Sequence, residues 1–237
     1  MCTASIVAHD RGVRLVCNRD ERRSRVDALP PAPHQSASGA VIYPLDRLSG
    51  GTWIGVGGRG FAAVLLNRTA ARCRGSARPA AKSRGGIVPL VLGCSSFAAA
   101  SHAAAWLDCR EYEPFALVLV APAQAVEFTS GPTSCASRSY ALDTPLVFTS
   151  SSLGDALVEA PRRALFDGLV RRAVDPLAGQ ERFHRHQWPL ARDISVRMER
   201  DDAATVSRTT IDLSMRGLRV VYERIGSAQA RGASHAA

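Results

Sequence analysis

Apolar residues along this chain fall into short runs, and most runs are bounded by Gly, Pro, Asp or Ser. Short runs rich in Val, Ile and Phe are typical of β-strands. Two pairs of runs flank tight polar turns, 9–12 and 57–60, so the pattern predicts two β-hairpins. The predicted strands are Thr3–Ala8, Val13–Cys17, Thr52–Val56, Phe61–Leu66, Phe115–Ala121, Ala125–Thr129, Pro145–Thr149, Ile194–Met198, Thr205–Leu213 and Leu218–Ile225.

The middle of the chain changes to helical spacing. The predicted helices are Ile87–Leu92, Phe97–Leu107 and Leu153–Ala173, and the predicted loops are Arg22–Gly39 and Arg68–Lys82. Strands at both ends with helices between them predict one α+β domain over residues 1–225, in which stacked sheets are covered by helices. The small, polar residues 226–237 predict a disordered tail.

Composition fits this prediction and narrows the class of protein. Of the 237 residues, 46% are hydrophobic and 22% charged, as in soluble globular domains. The longest apolar run is the length of a strand, well short of the roughly 20 residues that a membrane helix requires, and the N-terminus reaches His9 and Asp10 before any signal-peptide core forms. Six cysteines without a C-x-x-C pair indicate neither a zinc site nor a disulfide framework, so we expect a cytoplasmic protein without a metal.

The net charge of +9 raises nucleic-acid binding as a function. However, 29 of the 30 basic residues are Arg, they are dispersed along the chain, and aromatic residues are only 6%. Nucleic-acid modules usually combine clustered basic residues with interleaved aromatics. We therefore expect no nucleic-acid partner, and interpret the charge as better suited to a small anionic ligand.

Two short motifs have weak support. The glycines of residues 55–60 match G-x-G-x-x-G, but a strand follows them in place of the helix that a dinucleotide site requires. His184 and His186 have the spacing of metal ligands, but no third ligand accompanies them. We interpret them as a pair on a helix surface and predict no cofactor.

Cys2 is the residue whose position indicates chemistry. Removal of Met1 would place a thiol and a free α-amine on the same residue. Because an α-amine has an ordinary pKa near 7.7–8.0, it can act at neutral pH as the general base for the thiol. The alternative is that Cys2 is simply a small residue at the start of an edge strand.

Several later segments favour the catalytic interpretation. Asn18-Arg19-Asp20-Glu21, Gly50-Gly51-Thr52-Trp53 and Leu66-Asn67-Arg68 occur in the order found in the NRDE family, also called the transport and Golgi organisation protein 2 family. Ser83-Arg84-Gly85, Thr205-Val206-Ser207-Arg208-Thr209 and Glu223-Arg224 extend the resemblance to nearly the whole chain. The chain also resembles, more distantly, choloylglycine hydrolases and penicillin V acylases.

These resemblances imply the αββα fold of N-terminal nucleophile hydrolases and a set of site residues. By position, Cys2 would be the nucleophile, Arg19 and Asp20 would orient its amine and thiolate, Asn67 would donate to the oxyanion, and Arg208 would line the pocket. The expected substrate-binding residues are Asn18, Trp53, Arg68 and Ser151.

Two departures from the enzyme pattern are visible. Arg19 and Asp20 are adjacent, so a regular strand would point them to opposite faces. Where the relatives carry an Asn, this chain offers only Ser151 or Ser152.

Two functions therefore remain open. One is Cys-dependent hydrolysis of a small amide or thioester that carries an anionic group. The other, which the resemblance implies, is non-enzymatic binding or trafficking of an amphipathic anion such as haem or an acyl-CoA-type lipid, with arginines binding its carboxylates or phosphates.

Overall fold

A computed structural model describes residues 2–69, 82–131, 134–214 and 217–226. Its strands are β1 (Cys2–His9), β2 (Gly12–Arg22), β3 (Leu29–Ser36), β4 (Gly39–Leu45), β5 (Ile54–Gly57), β6 (Phe61–Asn67), β7 (Phe115–Ala121), β8 (Gln124–Ser130), β9 (Cys135–Ala141), β10 (Leu146–Thr149), β11 (Ala203–Ser214) and β12 (Gly217–Arg224). Its α-helices are α1 (Ile87–Leu92), α2 (Phe97–Ala105), α3 (Asp155–Phe166) and α4 (Pro176–Arg185).

The strands form two antiparallel sheets. The first has five strands in the order β10-β1-β2-β11-β12, and the second is a seven-stranded meander from β3 to β9. Apolar side chains of both sheets, among them Ile6, Leu15, Val64 and Val118, share one buried layer between them. The predicted stacking of sheets is therefore confirmed.

Helices cover the two outer faces. The helices α1 and α2 pack on the seven-stranded sheet, where Val91 and Ala100 join Phe115 and Leu117 in a second core. On the five-stranded sheet, Phe166 of α3 and Phe183 of α4 stack edge to face, with ring centroids 5.1 Å apart, over Val7 of β1. The layer order is thus helix, sheet, sheet, helix, which confirms the αββα prediction.

Several elements differ from the prediction. The expected loop at Arg22–Gly39 contains β3, which tolerates its prolines because it is an edge strand with N–H groups free of a ladder on one side. The elements β4, β9 and α4 were not predicted at all. The residues of β9 and α4 carry few strongly apolar positions, so tertiary contacts rather than local pattern define them. In contrast, β4 does contain Val41, Ile42 and Leu45.

The predicted strand Ile194–Met198 is wrong. The segment begins as a 3₁₀ turn, and the carbonyl oxygens of Ile194 and Ser195 accept hydrogen bonds from the guanidinium of Arg162 at 3.0 and 2.8 Å. Carbonyls held by a side chain are not available to a β-ladder, although Val196 and Met198 are buried as a strand pattern requires.

Two predictions fall mainly outside the described residues. The expected exposed loop at Arg68–Lys82 includes residues 70–81, and the expected disordered tail 226–237 includes residues 227–237. Both stay predictions. In the part of the chain that is described, no helix has the length and apolarity to cross a membrane.

Candidate active site

Cys2 is the first residue of β1 and lies between the two sheets. It pairs across the ladder with Arg19 of β2, and its side chain joins Ala4 and Cys17 in the layer that the sheets share. Cys2 is 4% exposed. Because β1 is paired with β10 on one side and β2 on the other, Cys2 is not on an edge strand, and its sulfur is buried inside the domain.

The backbone of Cys2 is held by Ser150, at the end of β10. The Cys2 N–H donates to Ser150 Oγ at 3.0 Å, and the Ser150 N–H donates to the Cys2 carbonyl at 3.0 Å. Ser150 is itself buried. The sequence predicts Ser151 rather than Ser150 as a site residue in this segment. The Ser150 hydroxyl could not be identified from the sequence, because only the β1–β10 register brings it to the Cys2 nitrogen.

Cys17 makes the Cys2 thiol more acidic. A hydrogen bond with the Cys17 side chain lowers the pKa of Cys2 below its ordinary value against the opposing effects of burial and the Asp20 charge. The positive charge of the N-terminal amine and, to a smaller extent, that of Arg19 act in the same direction as the hydrogen bond. The same hydrogen bond, together with burial, raises the pKa of Cys17. Cys2 is therefore the thiol that ionises first.

Arg19 faces the same side of the sheet as Cys2 but is firmly paired. Its Nη2 donates to Asp46 at 2.7 Å and to Glu21 at 3.2 Å, and its guanidinium lies 4.4 Å from the centre of the Trp53 ring. Burial would raise the pKa of Asp46, but hydrogen bonds from Ser49 and Arg25, together with the arginine charges, lower it overall. Asp46 thus stays ionised and fixes Arg19.

Asn18 and Asp20 lie on the opposite, helix-covered face. The Asn18 amide donates to the backbone carbonyls of His184 and Val196 at 2.9 and 3.0 Å, so it holds α4 and the following segment in place. Asp20 accepts a hydrogen bond from Thr205 at 2.6 Å, and burial raises its pKa against the opposing charge of Arg162. Because Arg19 and Asp20 are adjacent on a strand, their side chains point to opposite faces of the sheet, and Arg19 is the one on the Cys2 face.

Arg208 also differs from its expected placement. It pairs with Asn18 across the β2–β11 ladder and reaches the carboxylates of Glu223 and Glu181 on the helix-covered face. Its neighbours Ser207 and Thr209 pair with Arg19 and Cys17, respectively, and lie on the same face of the sheet as those residues. The sequence therefore predicts Arg208 as a pocket residue, but strand alternation places the hydroxyl-bearing Ser207 and Thr209, rather than Arg208, on the Cys2 side of the sheet.

Ser207 and Thr209 are notable because their hydroxyls are buried without a hydrogen-bond partner among the described residues. Each residue is 1% exposed, and the indole N–H of Trp53 is buried and unpaired in the same way. All three belong to elements that face the intersheet layer around Arg19. Unpaired buried polar atoms are costly, so groups such as these are candidates to bind a ligand or ordered water.

Three other predicted residues lie toward the open end of the sheets. Asn67 ends β6, where alternation places it opposite to Leu66, and it forms no side-chain hydrogen bond among the described residues. Arg68 lies 3.6 Å from Asp155, and the Ser151 hydroxyl accepts from the Leu153 N–H as part of the turn before α3. The structure therefore does not place Asn67 in contact with Cys2.

A pocket of about 440 Å³ opens beside β10, between the two sheets. Its floor is apolar, with Leu66, Leu146 and Phe148, and its rim is charged. The charged rim residues are Arg68, Glu127, Arg138, Asp155, Glu159, Arg163 and Arg171. Thr149 also lines the pocket and is followed by Ser150, which binds the backbone of Cys2, but Cys2 itself is not among the residues that line the pocket.

Ser5, His184 and Asn18 form a buried hydrogen-bonded group whose arrangement is similar to that of a catalytic triad. His184 Nε2 lies 2.7 Å from Ser5 Oγ, and its Nδ1 lies 3.1 Å from Asn18 Oδ1. All three are fully buried, and burial followed by the charge of Arg208 lowers the pKa of His184 to about 3. The prediction of a surface pair is thus wrong for His184, which is a neutral structural residue that fixes α4 to β1 and β2.

Neither histidine belongs to a metal site in the described structure. Within residues 2–69, 82–131, 134–214 and 217–226, no three His, Cys, Asp or Glu side chains are grouped to hold a metal ion.

Solved structures with a similar fold are N-terminal nucleophile hydrolases. An N-acylethanolamine-hydrolyzing acid amidase ortholog from Caenorhabditis elegans aligns with a TM-score of 0.60 and 14% identity over 89% of this chain and 92% of its own. Penicillin V acylase from Agrobacterium tumefaciens aligns at 0.53 and 13% over 95% and 86%. A variant of conjugated bile acid hydrolase from Clostridium perfringens aligns at 0.52 and 10% over 94% and 92%. At these identities the likeness establishes the fold.

Sequence comparison gives the family directly. No curated protein matches the chain. The sequence profile of the family described as Transport and Golgi organisation 2 matches residues 1–159, which is two thirds of the chain and includes Cys2, the Asn18–Glu21 signature and Ser150. The chain belongs to the Transport and Golgi organisation 2 family.

Proposed function

We propose that this protein is a cysteine-dependent hydrolase of small amides or thioesters that carry an anionic group, with Cys2 as the nucleophile after removal of Met1. The observation that carries the proposal is the environment of Cys2. Its thiol is more acidic than usual, Arg19 is beside it, and its nitrogen is already bound by Ser150.

The chemistry follows from these groups. The free α-amine of Cys2, oriented by the Ser150 hydroxyl, accepts the thiol proton, and the thiolate attacks the substrate carbonyl carbon. The leaving amine or thiol departs with that proton, and a thioester to Cys2 Sγ remains. Water then cleaves the thioester, which releases a carboxylic acid and restores the thiol. The family pattern offers Asn67 for the oxyanion, but alternation on β6 faces it away from the layer that contains Cys2, so we assign no side chain to that role.

The pocket beside β10 favours a small substrate. Its volume of about 440 Å³ is at the lower end of the range of ligand pockets, which is roughly 300–1,000 Å³. An acyl or aryl portion would contact Leu66 and Phe148, while a carboxylate or phosphate would meet Arg138 or Arg163 at the rim. The same rim supports the second candidate, non-catalytic binding of an amphipathic anion.

Hydrolysis of a panel of N-acyl amides and acyl thioesters tests the proposal. We expect Cys2→Ala to lose about 10³-fold or more in kcat, because the nucleophile is removed. Cys94→Ala is the matched control, since Cys94 lies at the end of α1 away from the five-stranded sheet, and it should retain full activity. Full activity of Cys2→Ala, or an active protein whose intact mass retains Met1, would overturn the mechanism.

The carrier candidate has a different signature. If no member of the panel is turned over while the wild type and Cys2→Ala bind a fluorescent fatty acid equally well, the pocket serves binding alone. Arg138→Gln should weaken that binding, and Arg110→Gln, which removes an exposed arginine outside the pocket, should not.

A further inference from the structure

Two cysteines outside the candidate active site lie unusually close together. Cys109 and Cys135 are 26 residues apart in sequence, and their sulfur atoms are separated by 2.8 Å. Both are thiols in this structure. We propose that Cys109 and Cys135 form a reversible disulfide that ties the edge strand β9 to the turn after α2.

The geometry requires little movement. Non-bonded carbon atoms pack about 3.5–4.0 Å apart, so these sulfurs are already closer than ordinary packing. A disulfide bond is about 2.05 Å long. Forming the bond therefore requires the two sulfur atoms to approach by only about 0.8 Å.

The surroundings favour a disulfide over a metal or a general base. Cys109 is buried in the 3₁₀ turn Cys109–Glu111, and Cys135, at the start of β9, packs against the same apolar core as α1 and α2. Among the residues that the structure describes, no third metal ligand accompanies the pair. Both cysteines belong to the same apolar cluster as Phe115 and Tyr112, and such a cluster tolerates a neutral disulfide better than a thiolate.

The pair also connects to the pocket through β9. This strand is an edge of the seven-stranded sheet, hydrogen-bonded only to β8 within the described sheet, and it carries Arg138 and Tyr140 of the pocket wall. A bond at Cys135 would fix the end of this strand to the core. The inference does not depend on the proposed hydrolase function, because the pair lies on the other face of the seven-stranded sheet from Cys2.

A small disulfide such as oxidised glutathione supplies the oxidant. The Cys135 thiolate, the more exposed of the two, attacks one glutathione sulfur and releases the first glutathione thiolate. The Cys109 thiolate then attacks Cys135 Sγ, which releases the second glutathione thiolate and leaves the Cys109–Cys135 bond. Two protons and two electrons leave the protein, and both are recovered as two reduced glutathione molecules.

The rate of this exchange should depend on pH. Burial, followed by the neighbouring thiol of Cys109, raises the pKa of Cys135 to about 12. The thiolate fraction of Cys135 is therefore small at neutral pH. As long as the pH stays below the pKa, this fraction rises about tenfold for each unit by which the pH is increased. Oxidation should be slow at pH 7 and become about 30-fold faster at pH 8.5.

The test is oxidation of the folded, full-length chain with oxidised glutathione, followed by alkylation and non-reducing peptide mass spectrometry. We expect a cross-linked peptide that contains Cys109 and Cys135, with the loss of two hydrogens from the intact mass. Because the bond closes a loop of this length, Tm should rise by about 10 °C and return to its starting value with dithiothreitol.

Two variants make the result specific. Cys135→Ser should fold, as judged by its Tm under reducing conditions, and should show no Tm shift on oxidation. Cys94→Ser, which changes a cysteine two residues beyond the end of α1 and outside the pair, should behave as the wild type. The proposal is overturned if both cysteines remain open to alkylation, if Cys135 carries only bound glutathione, or if either residue pairs with a different cysteine.

Discussion

Single residues on β2 and β11 divide the polar groups of this protein into two sets. Cys17, Arg19 and Ser207 face the intersheet layer that contains Cys2. Asn18 and Arg208 face the helices and form buried hydrogen bonds and ion pairs there. The second set is structural, since Asn18 and Arg208 have their partners within the fold, whereas the Ser207 hydroxyl of the first set is buried without a partner among the described residues.

A pH effect is expected from His184. Its pKa is lowered to about 3, below the ordinary value of about 6.5, so the unfolded chain binds a proton that the folded chain rejects. The stability contributed by neutral His184 is therefore present above pH 6.5 and is lost as the pH falls toward 3. Over that window we expect the free energy of unfolding to fall by about 1.4 kcal/mol per pH unit from this group.

Urea unfolding at a series of pH values measures this slope. His184→Gln should be less stable at pH 7 but should show a shallower decline between pH 6.5 and pH 4. His102→Gln, at an exposed position on α2, serves as the control and should keep the wild-type slope. Equal slopes for wild type and His184→Gln would contradict the assignment.

At the scale of elements, the approach of α4 to the end of α3 sets the position of the helix layer. The helix α3 continues into a π-helical turn, Asp167–Arg171, and α4 folds back against it. Gly179 of α4 lies at the contact, where an added Cβ would be 2.0 Å from the carbonyl oxygen of Leu169. No side chain fits at that distance, so only glycine permits this crossing.

Gly179→Ala should therefore destabilise the protein by about 1–3 kcal/mol, as overpacking of a buried contact does. The sign is informative, because alanine in a helix is ordinarily more stable than glycine by about 0.5–1 kcal/mol. Gly168→Ala is the control, since the nearest atom to its added Cβ is the side-chain Nη2 of Arg172 at 3.5 Å. Thermal unfolding of both variants gives the comparison, and an unchanged or raised Tm for Gly179→Ala would refute the argument.

At the scale of the whole molecule, the two sheets share one core and should not unfold separately. Trp53 is buried between them, in the same core cluster as Ile54 and Val64 of the seven-stranded sheet and Cys2 of the other. Trp106 is 79% exposed and reports little on packing.

We expect one cooperative urea transition. In a Trp106→Phe background, which removes the exposed indole, tryptophan fluorescence and far-UV circular dichroism should give coincident midpoints. Separate midpoints would indicate two independently folding parts and would contradict the prediction of a single domain over residues 1–225.

Local pattern predicts the strongly apolar elements of this fold well. The strands β1, β2, β6 and β7 alternate or run apolar. The boundaries of β1, β6 and β7 agree with the prediction to within one residue, whereas β2 continues five residues past its predicted end, to Arg22. Weakly apolar β3, β9 and α4 depend on contacts from distant segments, which a local window does not contain. The segment around Val196 shows the opposite error, since its strand-like pattern is overridden by the buried Arg162.

The motifs of the sequence determined the family, and the resemblance to that family implied the αββα fold. The periodic apolar positions predicted stacked sheets covered by helices, and the position of Cys2 after Met1 marked it as the chemically distinctive residue. Only the tertiary structure decided which polar residues accompany Cys2. The β1–β10 register brings Ser150 to its nitrogen, and alternation on β11 turns Arg208 away while it turns Ser207 and Thr209 inward. The register of a strand, and the face of the sheet to which each side chain points, are set by pairing with strands that are far away in the sequence. A motif within one segment therefore contains no information about either.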